Sequence, residues 1–415
     1  MASLYRKILN YSLSKLVKRG EFTVTWPDGS SNSYRGNQEG FKAAIQITTE
    51  LAMKALALNP ALAVGEAYMD ETLKPVDCSI FDVLCVLMDN QDRVQLPLMN
   101  VVEKTRRILR PILQANNAIR SKRNVAHHYD LNGRLYSLFL DRDRQYSCAY
   151  FTSDEVSLED AQLAKKRHIA AKLRLDRPDL EVLDIGCGWG GMALTLAKEF
   201  GAKVTGITLS EEQLAAARAR AKEEGLEDRV KFEMMDYRAM PRQFDRIVSV
   251  GMFEHVGTPN YDTFFKTIKR CLKPDGVALI HSIGRFDPPG STNQWIAKYI
   301  FPGGYSPSLS EVLGPVQRSG LRTTDIEILR LHYAKTLAHW RRRFAANRDT
   351  ISTIYDERFC RMFEFYLCGS ELAFRLSDHM NFQIQLVREQ EALPLTRDYM
   401  NEAEQKAAQF APAEK

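Results

Sequence analysis

The feature that most constrains this chain is the ten-residue stretch "VLDIGCGWGG" at 182–191. A short apolar run ends in an acid, Asp184, and enters a turn carrying Gly186, Gly188, Gly190 and Gly191. The helical pattern "GMALTLAKEFG" (191–201) begins inside that turn and stops at a glycine. Glycines let the backbone come close to a ligand, and a helix start offers free N–H groups there. The rhythm then repeats. "LEVLDIG" (180–186), "AKVTGITLS" (202–210), "VKFEMMD" (230–236), "FDRIVSVGM" (244–252) and "GVALIHSIG" (276–284) read as strands, and "EEQLAAARARAKEEG" (211–225) reads as a helix capped by Ser210. Strands alternating with helices predict an α/β fold, a mostly parallel sheet with helices on both faces. Ligands of such sheets collect at the carboxyl ends of the strands.

At 415 residues the chain suits two domains. The first hundred residues read as a separate small α+β unit. "EFTVTWPDGSSNSYRG" alternates around Pro27-Asp28-Gly29, a hairpin signal, and "FDVLCVLMDN" (81–90) has helical apolar spacing. Between 104 and 123 stand Lys104, Arg106, Arg107, Arg110, Arg120, Lys122 and Arg123 with no acid among them. That cluster suits an anionic membrane surface, at about 1 kcal/mol per cation, or a nucleic acid; as a solvated helix face or linker it needs no partner. The seven cysteines are scattered and no C-x-x-C pair occurs, so neither a zinc site nor a disulfide framework is expected, and a reducing cytoplasm fits. The opening "MASLYRKILNYSLSKLVKRG" is too broken by charge for a secretory signal, and no run is long enough to span a bilayer.

The G-x-G turn alone also suits dinucleotide enzymes. Here the acid precedes the glycines, and "GITLS" brings no Asp or Glu to the end of the second strand, where a nicotinamide enzyme keeps its ribose-binding acid. The stretch resembles motif I of the class I S-adenosylmethionine-dependent methyltransferases, and "LKPDGVALI" (272–280) resembles another of their landmarks. That resemblance implies S-adenosylmethionine as cofactor. Together with the narrower family resemblance given next, it carries the cofactor contacts onto Tyr146 and Ser147, onto Val182, Leu183, Asp184, Ile185, Gly186, Cys187, Gly188, Trp189 and Gly190, onto Thr208, Leu209, Ser210 and Gln213, and onto Met235 and Asp236. Asp236 would face the adenine amine. Gln213 would serve the ribose hydroxyls in place of the missing acid.

Motifs in a fixed order narrow the family. "HHYDL" (127–131), "YSCAYF" (146–151), "GITLSEEQ" (206–213), "FEHVG" (253–257), "LIHSIG" (279–284), "FPGG" (301–304), "HYAKTL" (332–337) and "RMFEFYL" (361–367) together resemble the cyclopropane fatty acid synthases and mycolic acid cyclopropane synthases over about 120–390. The first hundred residues, with "EAYMD" (66–70), resemble the N-terminal domain of the longer bacterial members. The resemblance implies a Rossmann-like class I methyltransferase domain at 121–400, a lipid- or membrane-associated domain at 1–100, a basic linker at 101–120 and a flexible tail at 401–415. It implies methyl transfer from S-adenosylmethionine to the cis double bond of an unsaturated phospholipid acyl chain. The alkene attacks the sulfonium methyl, and proton loss from the new methyl closes a ring. No metal is expected.

Such a carbocation needs a dry cavity and a proton acceptor. Family members hold bicarbonate for that task. By resemblance its cradle here is Cys148, Glu254, His281, the backbone of Ile283, and Tyr366. Taken alone, Cys148 reads first as core packing, ahead of a nucleophile or a metal ligand. Glu254 cannot donate when ionised, so it would accept a hydrogen bond from bicarbonate, while His281, Tyr366 and Cys148 offer donors. Phe253, Trp295, Phe301, Tyr305 and Trp340 are candidates for the acyl channel, or for ordinary core.

Two departures stand out. The family's "HYD-x-GN" is "HYDLNG" here, with Asn132 and Gly133 exchanged, and Ser370 stands where many members carry a cysteine. A lipid methyltransferase leaving a methyl or methylene branch shares these motifs. A small-molecule N-methyltransferase shares the catalytic domain but has no need of the N-terminal unit. The expected partners are an unsaturated phospholipid, an anionic membrane surface and a second copy of the chain as a homodimer, with no nucleic acid. The expected location is cytoplasmic, peripheral at the inner membrane surface.

Overall fold

The computed structural model describes residues 2–91 and 133–409. The basic linker at 101–120, the cations between 104 and 123, "HHYDL", Asn132 and the end of the tail lie outside the described residues. The chain divides into two compact units, one of 1–110, 290–302 and 337–378, the other of 111–289, 303–336 and 379–415.

The first unit carries a four-stranded sheet of β1 (Arg19–Thr25), β2 (Ser31–Arg35), β3 (Gln38–Ile47) and β4 (Leu73–Pro75), in the order β2-β1-β3-β4. The expected hairpin joins β1 to β2 antiparallel, and Gly29 supplies the left-handed residue of its turn at φ 82°. Helices Glu50–Leu58, Pro60–Met69 and Ile80–Gln91 accompany the sheet. Their core residues Met53, Leu56, Ala67, Val83 and Val86 cluster with Phe22, Val24 and Trp26 of the sheet side. Cys368 and Leu372 of helix Glu357–Leu376 belong to this same core. Segments 290–302 and 337–378 therefore group with the N-terminal residues, although they lie in sequence beyond the glycine loop.

The second unit is built on seven strands: β5 (Glu181–Ile185), β6 (Lys203–Thr208), β7 (Val230–Met234), β8 (Phe244–Val250), β9 (Leu272–Arg285), β10 (Arg322–Ile328) and β11 (His379–Val387). Their order is β10-β11-β9-β8-β5-β6-β7. The run β9-β8-β5-β6-β7 is parallel, and β11 is antiparallel to both β9 and β10. This is the seven-stranded, mostly parallel sheet of a class I methyltransferase. One apolar cluster centres on Ile247, Phe264, Ile268 and Ile280, another on Val182, Leu194, Val204 and Val248. Strands with both faces covered read as continuous apolar runs, which is how β5, β8 and β9 appeared in the sequence. The antiparallel pair β10–β11 had no such run; "HMNFQIQLV" alternates polar residues that are nonetheless buried, Asn381, Gln383 and Gln385 among them.

Candidate active site

The glycine turn behaves as its spacing predicts. Gly186 and Gly190 take φ of 80° and 85°, and a Cβ on Gly190 would sit 2.7 Å from Phe232 Cζ, so only glycine fits there. Helix Gly191–Phe200 starts at this turn. Beside it opens a cavity lined by Tyr146, Ser147, Asp184 to Trp189, Thr208, Leu209, Gln213, Met235 and Asp236. Val182 and Leu183 are buried within β5, and Gly190 caps the helix, so these three support the cavity without lining it. Ser210 likewise stands back; its hydroxyl accepts from Gln213 N–H at 3.3 Å as a helix cap.

The polar groups of this cavity are set for a ligand carrying both charge signs. Asp184 is buried with Oδ2 lacking a partner among the described residues, and burial pushes its carboxyl up to about 7 against the opposing charge of Lys165. Gln213 Oε1 accepts from Thr208 Oγ1 at 3.2 Å, which leaves its amide N–H groups for the cavity. Asp236 is held on both oxygens by Arg238, at 2.8 Å to Nε and 2.5 Å to Nη2. Burial opposes the charge on Asp236, but the Arg238 hydrogen bonds keep its carboxyl below the ordinary range. The cavity also takes in Arg144, Gln145, Tyr237, Arg238, Met252 and His255, which the motif reading passed over. Each lies within three residues of a motif residue that it named. An orphaned buried carboxylate and a glycine cradle fit the aminoacyl end of S-adenosylmethionine.

Of the expected proton-acceptor residues, Glu254, His281 and Ile283 lie on or just after β8 and β9. Glu254 follows β8 in a 3-10 turn, Phe253–His255, and is one residue from the cavity-lining His255. Its Oε1 accepts from the Ile283 N–H at 2.6 Å, while Oε2 is buried with no partner among the described residues. Burial raises the Glu254 carboxyl to about 7, against the Ile283 hydrogen bond that favours its charge. His281 lies two residues before Ile283 on β9, on the same strand face. Gln383, its cross-strand partner on β11, places Nε2 3.1 Å from His281 Nδ1. An amide nitrogen only donates, so Nδ1 accepts and Nε2 carries the imidazole proton. That Nε2 is buried and has no partner among the described residues. Burial, with the Lys165 and Lys172 charges, holds the His281 pKa down to about 3, so the ring is neutral.

Cys148 is fully buried, its thiol 3.3 Å from Ala149 O, and burial pushes its pKa far up. A thiol held in that form is no nucleophile. Tyr366 belongs to the first unit, on helix Glu357–Leu376, with its ring edge-on to Phe301 and Phe363 at 5.7 and 5.3 Å. Of the aromatics considered for an acyl channel, Phe253 is core, stacked on Tyr261 at 4.4 Å. The Tyr305 hydroxyl donates to Glu311 at 2.6 Å, and Trp295 packs edge-on to Phe365.

Residues 116–384 match the family described as mycolic acid cyclopropane synthetase. The chain belongs to the mycolic acid cyclopropane synthetase family. It is an S-adenosylmethionine-dependent methyltransferase of the cyclopropane synthase type. Residues 5–95 match a second family, described as a domain of unknown function. The cyclopropane-fatty-acyl-phospholipid synthase of Escherichia coli K12 is 39% identical over 352 residues, 83% of this chain and 88% of that one. A Pseudomonas putida protein described as a "probable fatty acid methyltransferase" is 42% identical over 259 residues, 60% of this chain and 65% of its own length. The chain thus spans slightly under two thirds of that relative. Among solved structures, mycolic acid cyclopropane synthase CmaA1 complexed with SAH and CTAB superposes with a TM-score of 0.61 at 33% identity, covering 64% of this chain and 97% of that one.

Proposed function

We propose that this protein is a cyclopropane-fatty-acyl-phospholipid synthase, adding a methylene across the cis double bond of an unsaturated phospholipid acyl chain. The observation that best supports this is a pair of buried atoms with no partner among the described residues, Glu254 Oε2 in the turn after β8 and His281 Nε2 on β9. One acceptor and one donor are what a small protonated oxyanion such as bicarbonate satisfies. S-adenosylmethionine supplies a methyl group as a sulfonium, and bicarbonate supplies a base. The chain's own residues bind and orient them. Ionised Glu254, pinned by the Ile283 N–H, accepts a hydrogen bond. Neutral His281, its tautomer set by Gln383, donates one. The apolar surroundings of β9 would keep water from a reactive cation.

The Escherichia coli relative carries this activity in its name, and the Pseudomonas putida relative favours a second reading, a lipid methyltransferase that leaves a branch. One experiment separates them. Purified protein is incubated with S-adenosylmethionine and vesicles of unsaturated phospholipid, and fatty acid methyl esters are analysed by gas chromatography and mass spectrometry. A product one methylene heavier that resists hydrogenation is the ring. A heavier product that takes up hydrogen is an unsaturated branch. No heavier acyl chain moves the reading to a small-molecule N-methyltransferase.

The substrate alkene lies inside a bilayer, so the enzyme must dock there. Helix Ala2–Leu16 exposes Leu4, Lys7, Ile8, Tyr11, Lys15 and then Lys18 beyond it at helical spacing, apolar groups interleaved with cations. Among the described residues no helix is long and apolar enough to cross a membrane. We place the protein as a homodimer at an anionic, cytoplasmic membrane face, with this helix and the 104–123 cations in contact. Flotation with anionic but not neutral vesicles, and sedimentation at twice the chain mass, test both statements.

A further inference from the structure

Helix Leu158–Lys172 runs beside the segment 141–148 that forms one wall of the cofactor cavity, and Lys165 is fully buried there. Its Nζ donates to Gln145 Oε1 at 2.7 Å and to Ser147 Oγ at 2.8 Å, and both residues line the cavity. Two further side chains of the helix grip the same segment. Gln162 Nε2 donates to Ser147 O at 3.0 Å, and Lys166 Nζ to Asp143 Oδ2 at 2.6 Å.

The hydrogen-bond directions follow from the ammonium, which has donors only. Gln145 must present Oε1 to Lys165, so its Nε2 turns to Asp143 Oδ2, 3.1 Å away. Ser147 must accept, so its own proton is aimed elsewhere, and a hydroxyl polarised by a buried cation is a stronger donor. A buried ammonium is costly unless it is paired and hydrogen-bonded. Among the described residues no carboxylate bonds Lys165 directly; it answers at longer range to Asp141 and Asp143, and to the orphaned Asp184.

We propose that Lys165 is a positioning residue for cofactor binding: its buried ammonium fixes Gln145 and Ser147 in the orientation that receives the aminoacyl end of S-adenosylmethionine. This rests on the cavity being the S-adenosylmethionine site, and not on the identity of the lipid product. Groups facing Lys165 are Lys166 on its own helix, Asp141, Asp143 and Cys148 on the wall segment, Asp184 on β5 and His281 on β9. Burial lowers the Lys165 pKa to about 8, with the nearby carboxylates opposing.

The test is S-adenosylhomocysteine binding by calorimetry at pH 7, with circular dichroism to establish folding. Lys165→Met is expected to bind at least tenfold more weakly. Its KM for S-adenosylmethionine should rise by the same factor, with kcat at saturation within threefold of wild type. Unchanged affinity in folded protein, or a fall in kcat at unchanged affinity, overturns the proposal. Should Lys165→Met not fold, wild type is compared with Ser147→Ala from pH 7 to 9.5. The wild-type advantage should shrink above about pH 8 as the ammonium loses its proton; a constant ratio overturns the proposal. If wild-type protein binds no S-adenosylhomocysteine, the cofactor reading itself falls, a failure distinct from either of these.

Discussion

The Ile283 amide donates to one oxygen of the Glu254 carboxylate at 2.6 Å, and the other oxygen is buried with no partner among the described residues. The two residues are 29 positions apart, brought together because β8 and β9 are parallel neighbours. Ionised, that oxygen only accepts; protonated, the group offers a donor as well. Glu254→Gln should lower acyl modification by about 10²–10³-fold, a usual range for lost acid–base function. S-adenosylhomocysteine affinity should change less than twofold. Full activity in the variant removes Glu254 from the mechanism.

The pH profile follows from the same burial. Glu254 titrates near 7, so kcat at saturating cofactor should rise about tenfold per pH unit below that value and level off above it. His281, near 3, adds no limb between pH 5 and 8. Any activity left in Glu254→Gln should lack the part of the rise due to Glu254 and keep only the loss of bicarbonate itself to carbonic acid at lower pH. A profile equally steep in the variant would assign it to another group.

Gln383 sets the His281 tautomer from across the β9–β11 pair. Gln383→Leu should free the ring to hold its proton on either nitrogen, lowering kcat about tenfold with KM for S-adenosylmethionine unchanged. Measured steady-state kinetics with both substrates varied will separate the two constants. A change confined to KM contradicts this role.

The glycine turn is also a packing site. A Cβ on Gly191 would overlap Asp143 Oδ2 and Gln145 Nε2. Asp143 cannot retreat easily, being bonded to Lys166 and Arg220. Gly191→Ala should therefore destabilise by about 1–3 kcal/mol, the usual cost of overpacking. Chemical denaturation reads this directly, and cofactor affinity should fall with it.

His168 lies between two carboxylates, with Nε2 2.6 Å from Glu327 and Nδ1 bonded to Glu404 of helix Asp398–Gln409. Both ring nitrogens must donate, so the imidazolium is the form that fits. Burial disfavours the charge, but the two carboxylates outweigh it and raise the His168 pKa. A raised folded pKa gives stability that is complete below the unfolded value of about 6.5 and is lost as pH rises through the folded value. Wild type should lose its Tm advantage over His168→Gln as pH climbs above neutrality. A gap that widens with pH would refute this linkage.

Legibility tracked distance along the chain. The hairpin at Pro27-Asp28-Gly29, the glycine turn and the helix cap at Ser210 depend on residues a few positions apart, and each was plain in the sequence. The pairing of Asp236 with Arg238 was equally local yet passed unread, because an acid two residues from a cation signals nothing until the turn brings them face to face. Gln383, Lys165 and Gln162 gave no signal. Polar residues in an apolar strand or a charged helix look like solvent contacts until burial shows otherwise.

By itself the sequence determined the parallel sheet, the cofactor turn and the family, because apolar periodicity, glycine spacing and ordered motifs are properties of the chain as written. Only the tertiary structure decided which oxygen of Glu254 is free, which nitrogen of His281 carries a proton, and that 290–302 and 337–378 join the N-terminal unit. Those outcomes depend on hydrogen bonds and burial between residues tens to hundreds of positions apart. Their energies exist only once the chain has excluded water around them.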